Sequence, residues 1–212
     1  MAAPPGIRRV GKHFPVTVIN WENRHKYVGE ELSHLWFTRV FGADAYGNVT
    51  VTWRGPMDVR LKNVKDQTER LEWRAGARIR GPDLYHIVAE FPQIGNDLPL
   101  MYSFQALLAQ ELALALGARG RHAEVRGSDV YVGDGKLNVG VCAAWGVSST
   151  MHFAVNLTTG GTPSIPKGVD ARGLGEFVGE AGAEELMERV VLGWLARIDG
   201  LYLKAYKTAW SG

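Results

Sequence analysis

The chain has 212 residues, 46% hydrophobic and 22% charged, and its 24 Lys and Arg against 22 Asp and Glu leave a net charge of +2. That is the composition of an ordinary globular protein with chain enough for one good core or two small ones. No apolar run reaches the roughly 18 residues that span a bilayer, so a membrane-spanning chain is not expected, and the even charge balance does not indicate nucleic acid.

Residues 1–12 read as a flexible tail, Ala, Pro and Gly followed by Arg8, Arg9 and Lys12, and residues 13–212 as a single domain. Phe14 to Trp21 alternates as a weak strand. Leu32, Leu35, Trp36 and Val40 fall at helical spacing, which predicts a short helix over 29–41. Asn48 to Trp53 is β-branched and aromatic, hence a strand that Pro56 interrupts, with Met57 to Val64 resuming the sheet. Asp66 to Trp73 is a polar helical connection. Gly81-Pro82-Asp83 reads as a turn before the strand Tyr85 to Phe91, and 96–99 as a loop. Tyr102 to Leu116 is the clearest helix, rich in Ala and Leu and stopped by Gly117. Thr158 to Gly168 reads as a loop. Ala183 to Ile198 is a second helix, and 201–210 either extends it or forms a last strand.

Between the two long helices lies the most informative stretch, Glu124 to Asn156. Period-two alternation makes it three antiparallel strands, Glu124–Val132, Lys136–Ala144 and Thr150–Leu157. Gly133-Asp134-Gly135 is a strong hairpin signal. One face of these strands is apolar; the other is small and polar, which suits the floor of a ligand site. Lys136 follows the turn directly. A lysine ammonium is a compact point charge for a carboxylate or phosphoryl oxygen, and in a dry pocket it can stabilise developing negative charge. Asp129 and Arg126 share the preceding strand, and their spacing of three puts them on opposite faces unless the chain bulges at Gly127. His152 and Asn156 share a face of the third strand, as do His86 and Glu90 on theirs. Each of these pairs is about 13 Å apart along a strand, too far to ligate one metal, so no metal site is expected. His34 is a further polar candidate from the N-terminal helix. Cys142, the single cysteine, reads as a small core residue and cannot form an internal disulfide.

The run Asp-Val-Tyr-Val, turn, Lys-Leu, small-residue strand, loop and strand ending in Asn resembles a stretch of the biotin and lipoate protein ligase superfamily. The segments SHLW (33–36), DLYHIVAEF (83–91), RGSDVYVGDGKL (126–137) and GVDARGLGEF (168–177) resemble a family of small uncharacterised prokaryotic proteins grouped structurally with those ligases. The resemblance implies an α+β fold: one domain with a curved mixed sheet flanked by helices, like the ligase catalytic domain. It also implies that Lys136 contacts a substrate carboxylate or adenylate and that Asp129 lies beside the substrate pocket. Asn156 would then lie near the phosphates of ATP and its magnesium. The segment Gly117-Ala-Arg-Gly-Arg-His122 looks like the adenylate loop of biotin ligases, but it follows the helix and precedes the hairpin directly, so it reads as a connection. The Arg-Gly-Gly-Gly motif of lipoate ligases is absent.

Three readings stay open. One is a ligase or acyltransferase acting on a small carboxylic acid, possible through an acyl-adenylate, with Lys136 and Asp129 as catalytic residues and Arg126, Asn156, His152, His86, Glu90 and His34 lining the substrate. Another is a non-catalytic small-molecule or nucleotide-binding protein on the same fold. The third is a hydrolase-type or nucleotide-modifying enzyme using His86, Glu90 and His152. A small-molecule ligand is the expected partner, and a homodimer is compatible with the sequence. The N-terminus lacks the apolar core of a secretory signal, so a cytoplasmic location is the expectation.

Overall fold

The computed structural model describes residues 6–72, 78–159 and 170–209. A six-stranded sheet runs in the order β1 (Gly6–Val10), β2 (Val16–Asn20), β3 (Val49–Arg60), β4 (Arg78–Phe91), β9 (Ser148–Thr158), β8 (Asn138–Trp145). The β2–β3 pair is parallel and the others are antiparallel, so the sheet is mixed. A second, three-stranded sheet is built from β5 (Glu124–Arg126), β6 (Asp129–Val132) and β7 (Gly135–Lys136). The helices are α1 (Trp36–Phe41), α2 (Gln67–Glu72), α3 (Leu98–Gly117), α4 (Gly175–Val178) and α5 (Glu180–Ala209). This is the α+β architecture expected from the sequence.

Alternation along β4 and β9 divides the interior in two. Tyr85, Ile87, Ala89 and Phe91 join Met151, Phe153 and Val155 under α3 and α5, with Leu108, Leu112, Val190 and Trp194 closing that core. Burying side chains of this size contributes about 1.5–3 kcal/mol each. The opposite face carries His86, Val88 and Glu90 on β4 beside His152, Ala154 and Asn156 on β9, because directly paired residues such as His86 and Ala154 share a face. A second cluster containing Tyr27, Leu32, Phe37 and Trp53 covers this side. Tyr27, Leu32 and Phe37 come from the segment between β2 and β3, which lies over the sheet as a cover, and Trp53 from β3 itself. Gly55 permits the close approach: a Cβ there would lie 2.3 Å from the carbonyl oxygen of His25.

Several local expectations differ from the structure. Residues 6–10, read as tail, pair with β2 as an edge strand. Neither Pro56 nor Gly81-Pro82-Asp83 ends a strand. Gly55 pairs with Leu84 and Met57 with Gly81, so both prolines occupy one irregular stretch where the ladder needs no donor from them. The helix expected over 29–41 breaks into a 3-10 turn (Glu30–Leu32) and α1, separated by an extended Ser33 and a left-handed Leu35. α3 begins earlier than expected because the Asp97 side chain accepts from the Leu100 N–H at 2.9 Å and proline occupies the first turn. α3 is long and apolar enough to cross a membrane by length and composition; here Met101, Phe104, Leu108 and Leu112 face the core. Residues 201–209 extend α5. The loop expected over 158–168 falls, after its first two residues, outside the described residues.

Candidate functional site

The lysine hairpin is a separate small sheet. Gly127 (φ +65°) turns the chain between β5 and β6, so Arg126 pairs directly with Asp129. The two therefore share a face, where their spacing on one strand suggested opposite faces. Lys136 pairs with Tyr131 on that same face. Its Nζ lies 2.6 Å from Asp129 Oδ2, the lysine side chain 17% exposed and the aspartate 32%. Arg126 is engaged elsewhere, bridging Glu124 at 2.7 Å and lying over the Tyr131 ring at 4.4 Å.

Asn156 reaches this hairpin through the backbone. Its N–H donates to Leu137 O at 2.9 Å, and its carbonyl accepts from Leu174 N at 2.7 Å. Lys136 N–H donates to Asp170 O at 2.8 Å, and Lys136 O accepts from Arg172 N at 2.9 Å. Residues 170–174 thus lace the lysine-bearing strand to the end of β9. Lys136, Asp129 and Asn156 are brought to one end of the sheet. Asp83, at the same end, is held by Arg54 at 2.6 Å and Arg24 at 2.9 Å.

One step along the covered face, His86 and His152 meet: Nδ1 of the first lies 3.0 Å from Nε2 of the second. The Gly55 carbonyl, 3.1 Å from His86 Nε2, can only accept, so Nε2 carries the proton. His86 Nδ1 then accepts from His152 Nε2–H. Both rings are sealed, with 0% and 2% exposure. Burial drives His86 down to about 3, and burial with its neighbour His86 holds His152 well below the usual range. Tyr27 stacks on His152 at 3.6 Å between centroids, and Trp53 on His86 at 4.9 Å. Sequence reasoning put each histidine with a partner on its own strand. It missed the cross-strand pair and the two aromatic rings over it.

The far end of the same face holds Glu90. It is buried and accepts from His34 Nδ1 at 2.6 Å, from Ser148 Oγ at 2.7 Å and from Leu35 N at 3.2 Å. His34 is contributed by the break before α1. Opposite Glu90 on β9 is Thr150; Asn156 is six residues further on, about 20 Å away along a strand. The candidates on β4 and β9 therefore spread along one face rather than forming one cluster, with Lys136 and Asp129 on the separate small sheet at its Asn156 end. Ser148 was missed, although its place in the buried run Ser148-Ser149-Thr150 gives a signal: consecutive buried hydroxyls need partners.

Among the described residues, no three His, Cys, Asp or Glu side chains form a group that could hold a metal. Cys142 is buried, and burial raises its thiol far above the usual range, a condition that suppresses the thiolate. The Gly117–His122 segment ends α3: the N–H groups of Ala118, Arg119 and Arg121 bond to carbonyls of its last turns. A cleft of about 170 Å³ between Arg9, Thr17, Tyr46 and Asn48 contains none of the candidate residues.

Against known proteins, a family model described as a domain of unknown function (DUF366) matches residues 16–209. An uncharacterized protein of Methanocaldococcus jannaschii is 26% identical over 194 residues, 91% of this chain and 84% of that protein. A solved protein of unknown function from Pyrococcus horikoshi superposes with a TM-score of 0.76 and 29% identity, over 93% of this chain and 97% of that one. A candidate lipoate protein ligase from T. acidophilum superposes with a TM-score of 0.53 and 12% identity, over 84% of each chain. The structure of the same protein with bound lipoic acid gives 0.50. The fold is lipoate protein ligase catalytic-domain-like, as the sequence resemblance implied.

Proposed function

The chain belongs to the DUF366 family, and from that premise we propose that it binds a small carboxylic acid and activates or transfers it, as an enzyme of ligase or acyltransferase type. The observation that supports this reading most is the Lys136–Asp129 pair at 2.6 Å, laced to Asn156 at the end of the sheet. An ammonium has three N–H donors. Asp129 engages one and fixes the direction of the others, which leaves two for an incoming carboxylate or acyl phosphate. The T. acidophilum protein of this fold holds lipoic acid, a carboxylic acid, which agrees with the substrate class. An acyl-adenylate route would add ATP and magnesium as cosubstrate and cofactor, with Asn156 nearest the phosphates.

The Gly117–His122 segment favours a second reading. Its N–H groups are bound up in the end of α3, which fits a carboxylate-binding protein without adenylation. The hydrolase-type reading with His86, Glu90 and His152 loses support from the geometry, since both histidine rings are sealed and hydrogen-bonded to each other. Calorimetry with ATP and magnesium, beside an assay for pyrophosphate release across a panel of carboxylic acids, tests the proposal. Pyrophosphate release that falls in Asn156→Ala supports the ligase. Carboxylate binding with no affinity for ATP at millimolar concentration leaves the binding protein. Binding of neither rejects both.

A further inference from the structure

Glu90 is a carboxylate buried near the end of β4, an interior strand of the sheet. Taking such a charge from water is costly unless donors surround it. Four hydrogen bonds from three residues do so here: His34 Nδ1 at 2.6 Å, Ser148 Oγ at 2.7 Å, and Leu35 N at 3.2 and 3.3 Å to its two oxygens. Leu35, which makes two of them, is left-handed (φ +58°), the only non-glycine residue with positive φ among the described residues. Strain of this kind costs on the order of 1–3 kcal/mol and persists where the surroundings over-determine it.

The result is an oriented imidazole. Nδ1–H is committed to the carboxylate, so Nε2 carries the free lone pair, and the side chain is 31% exposed. The sealed pair His86 and His152 offers nothing comparable to solvent. His25 also meets a buried carboxylate, Glu31, at 2.7 Å, but its ring is stacked on Trp21. Beside His34, Arg39 donates to His34 O at 2.9 Å and to Ser33 Oγ at 2.8 Å. A guanidinium has five N–H donors, so others remain for an anion bound against this segment.

We propose that His34 is a general base at a second site, positioned by Glu90, that hydrolyses small carboxylate esters carrying a negative charge which Arg39 holds. Nε2 takes a proton from water as the water oxygen bonds to the ester carbon. The ester C–O bond then breaks, and the proton passes from Nε2 to the departing alkoxide. The products are the acid and the alcohol, with no other reactant. This site stands about 20 Å from the Asn156 end of the sheet and does not depend on the lysine site.

The test is nitrophenolate release from 4-nitrophenyl hemisuccinate, with 4-nitrophenyl acetate as the neutral control. The purified full chain should exceed an equal concentration of free imidazole and prefer the anionic ester. His34→Ala should lose 10²-fold or more, within the range of general-base contributions, while keeping a cooperative melt at a lowered midpoint because Glu90 loses a donor, and added imidazole should restore part of the rate. Arg39→Ala should lose the preference for the hemisuccinate. Glu90→Gln keeps an acceptor for Nδ1 and should lower kcat more than it raises KM. A wild-type rate no higher than that of free imidazole, or one that His34→Ala leaves unchanged, would overturn the assignment. So would a His34→Ala loss that imidazole does not restore.

Discussion

Asp129 on β6 and Lys136 on the neighbouring β7 bring their charged atoms to 2.6 Å, both side chains only partly accessible. An ion pair that solvent still reaches contributes about 0.2–1 kcal/mol to folding, too little to explain by stability why a lysine is held so firmly. Its consequence is direction: the ammonium cannot swing freely into solvent.

Asp129→Asn should therefore leave the fold intact and change stability by under about 1 kcal/mol, while weakening carboxylate binding. The aspartate acts by orienting the lysine, so removing its charge loosens that orientation even as it removes a competitor. Urea unfolding beside calorimetry with the best carboxylate of a panel checks both. Binding that tightens in Asp129→Asn would show the aspartate to be only a competitor.

Acid should destabilise the protein through the buried histidine pair. His86 is held at about 3 by burial, against about 6.5 when unfolded, so the unfolded chain binds more protons across that window. Its contribution is complete above pH 6.5 and is lost progressively as pH falls toward 3. Linkage gives about 2 kcal/mol lost between pH 7 and pH 5 for His86 alone, and His152, lowered likewise, adds to it. Urea unfolding at pH 7, 6 and 5 measures the slope. A flat stability over that range would mean that the rings are not buried and neutral.

Much of the fold was legible. Alternation located the core of β4, and the alanine- and leucine-rich run located α3. The glycine turn located the lysine hairpin and, through it, the approach of Asp129 to Lys136. These features depend on neighbours in sequence. What the sequence did not disclose depends on register between distant strands. His86 meets His152 only because β4 and β9 pair with His86 opposite Ala154 and Val88 opposite His152. The prolines at 56 and 82 were read as breaks because nothing local tells that they fall in one irregularity of the ladder. The break at Ser33 to Leu35 follows from a carboxylate 55 residues away that takes the Leu35 N–H.

The cover over the histidines rests on Gly55. A methyl group there would lie 2.3 Å from His25 O, which also accepts from Trp53 Nε1 at 2.9 Å. Gly55→Ala should cost about 1–3 kcal/mol and loosen the cover. Hydrogen exchange over residues 21–35 should quicken while α3 stays protected. Equal protection in both segments would show that the cover tolerates the added carbon.

The central claim is that Lys136 holds an anionic ligand. Thermal shift against a panel of small carboxylates and nucleotides, wild type beside Lys136→Ala, tests it most directly. The variant should melt within about 1 kcal/mol of wild-type stability in the absence of ligand. It should also lose about 2–3 kcal/mol of binding, the range of a hydrogen bond to a charged group. Lys136→Arg should restore that only in part, because a planar fork does not fit a point-charge position. Identical responses of wild type and Lys136→Ala across the whole panel would contradict the claim.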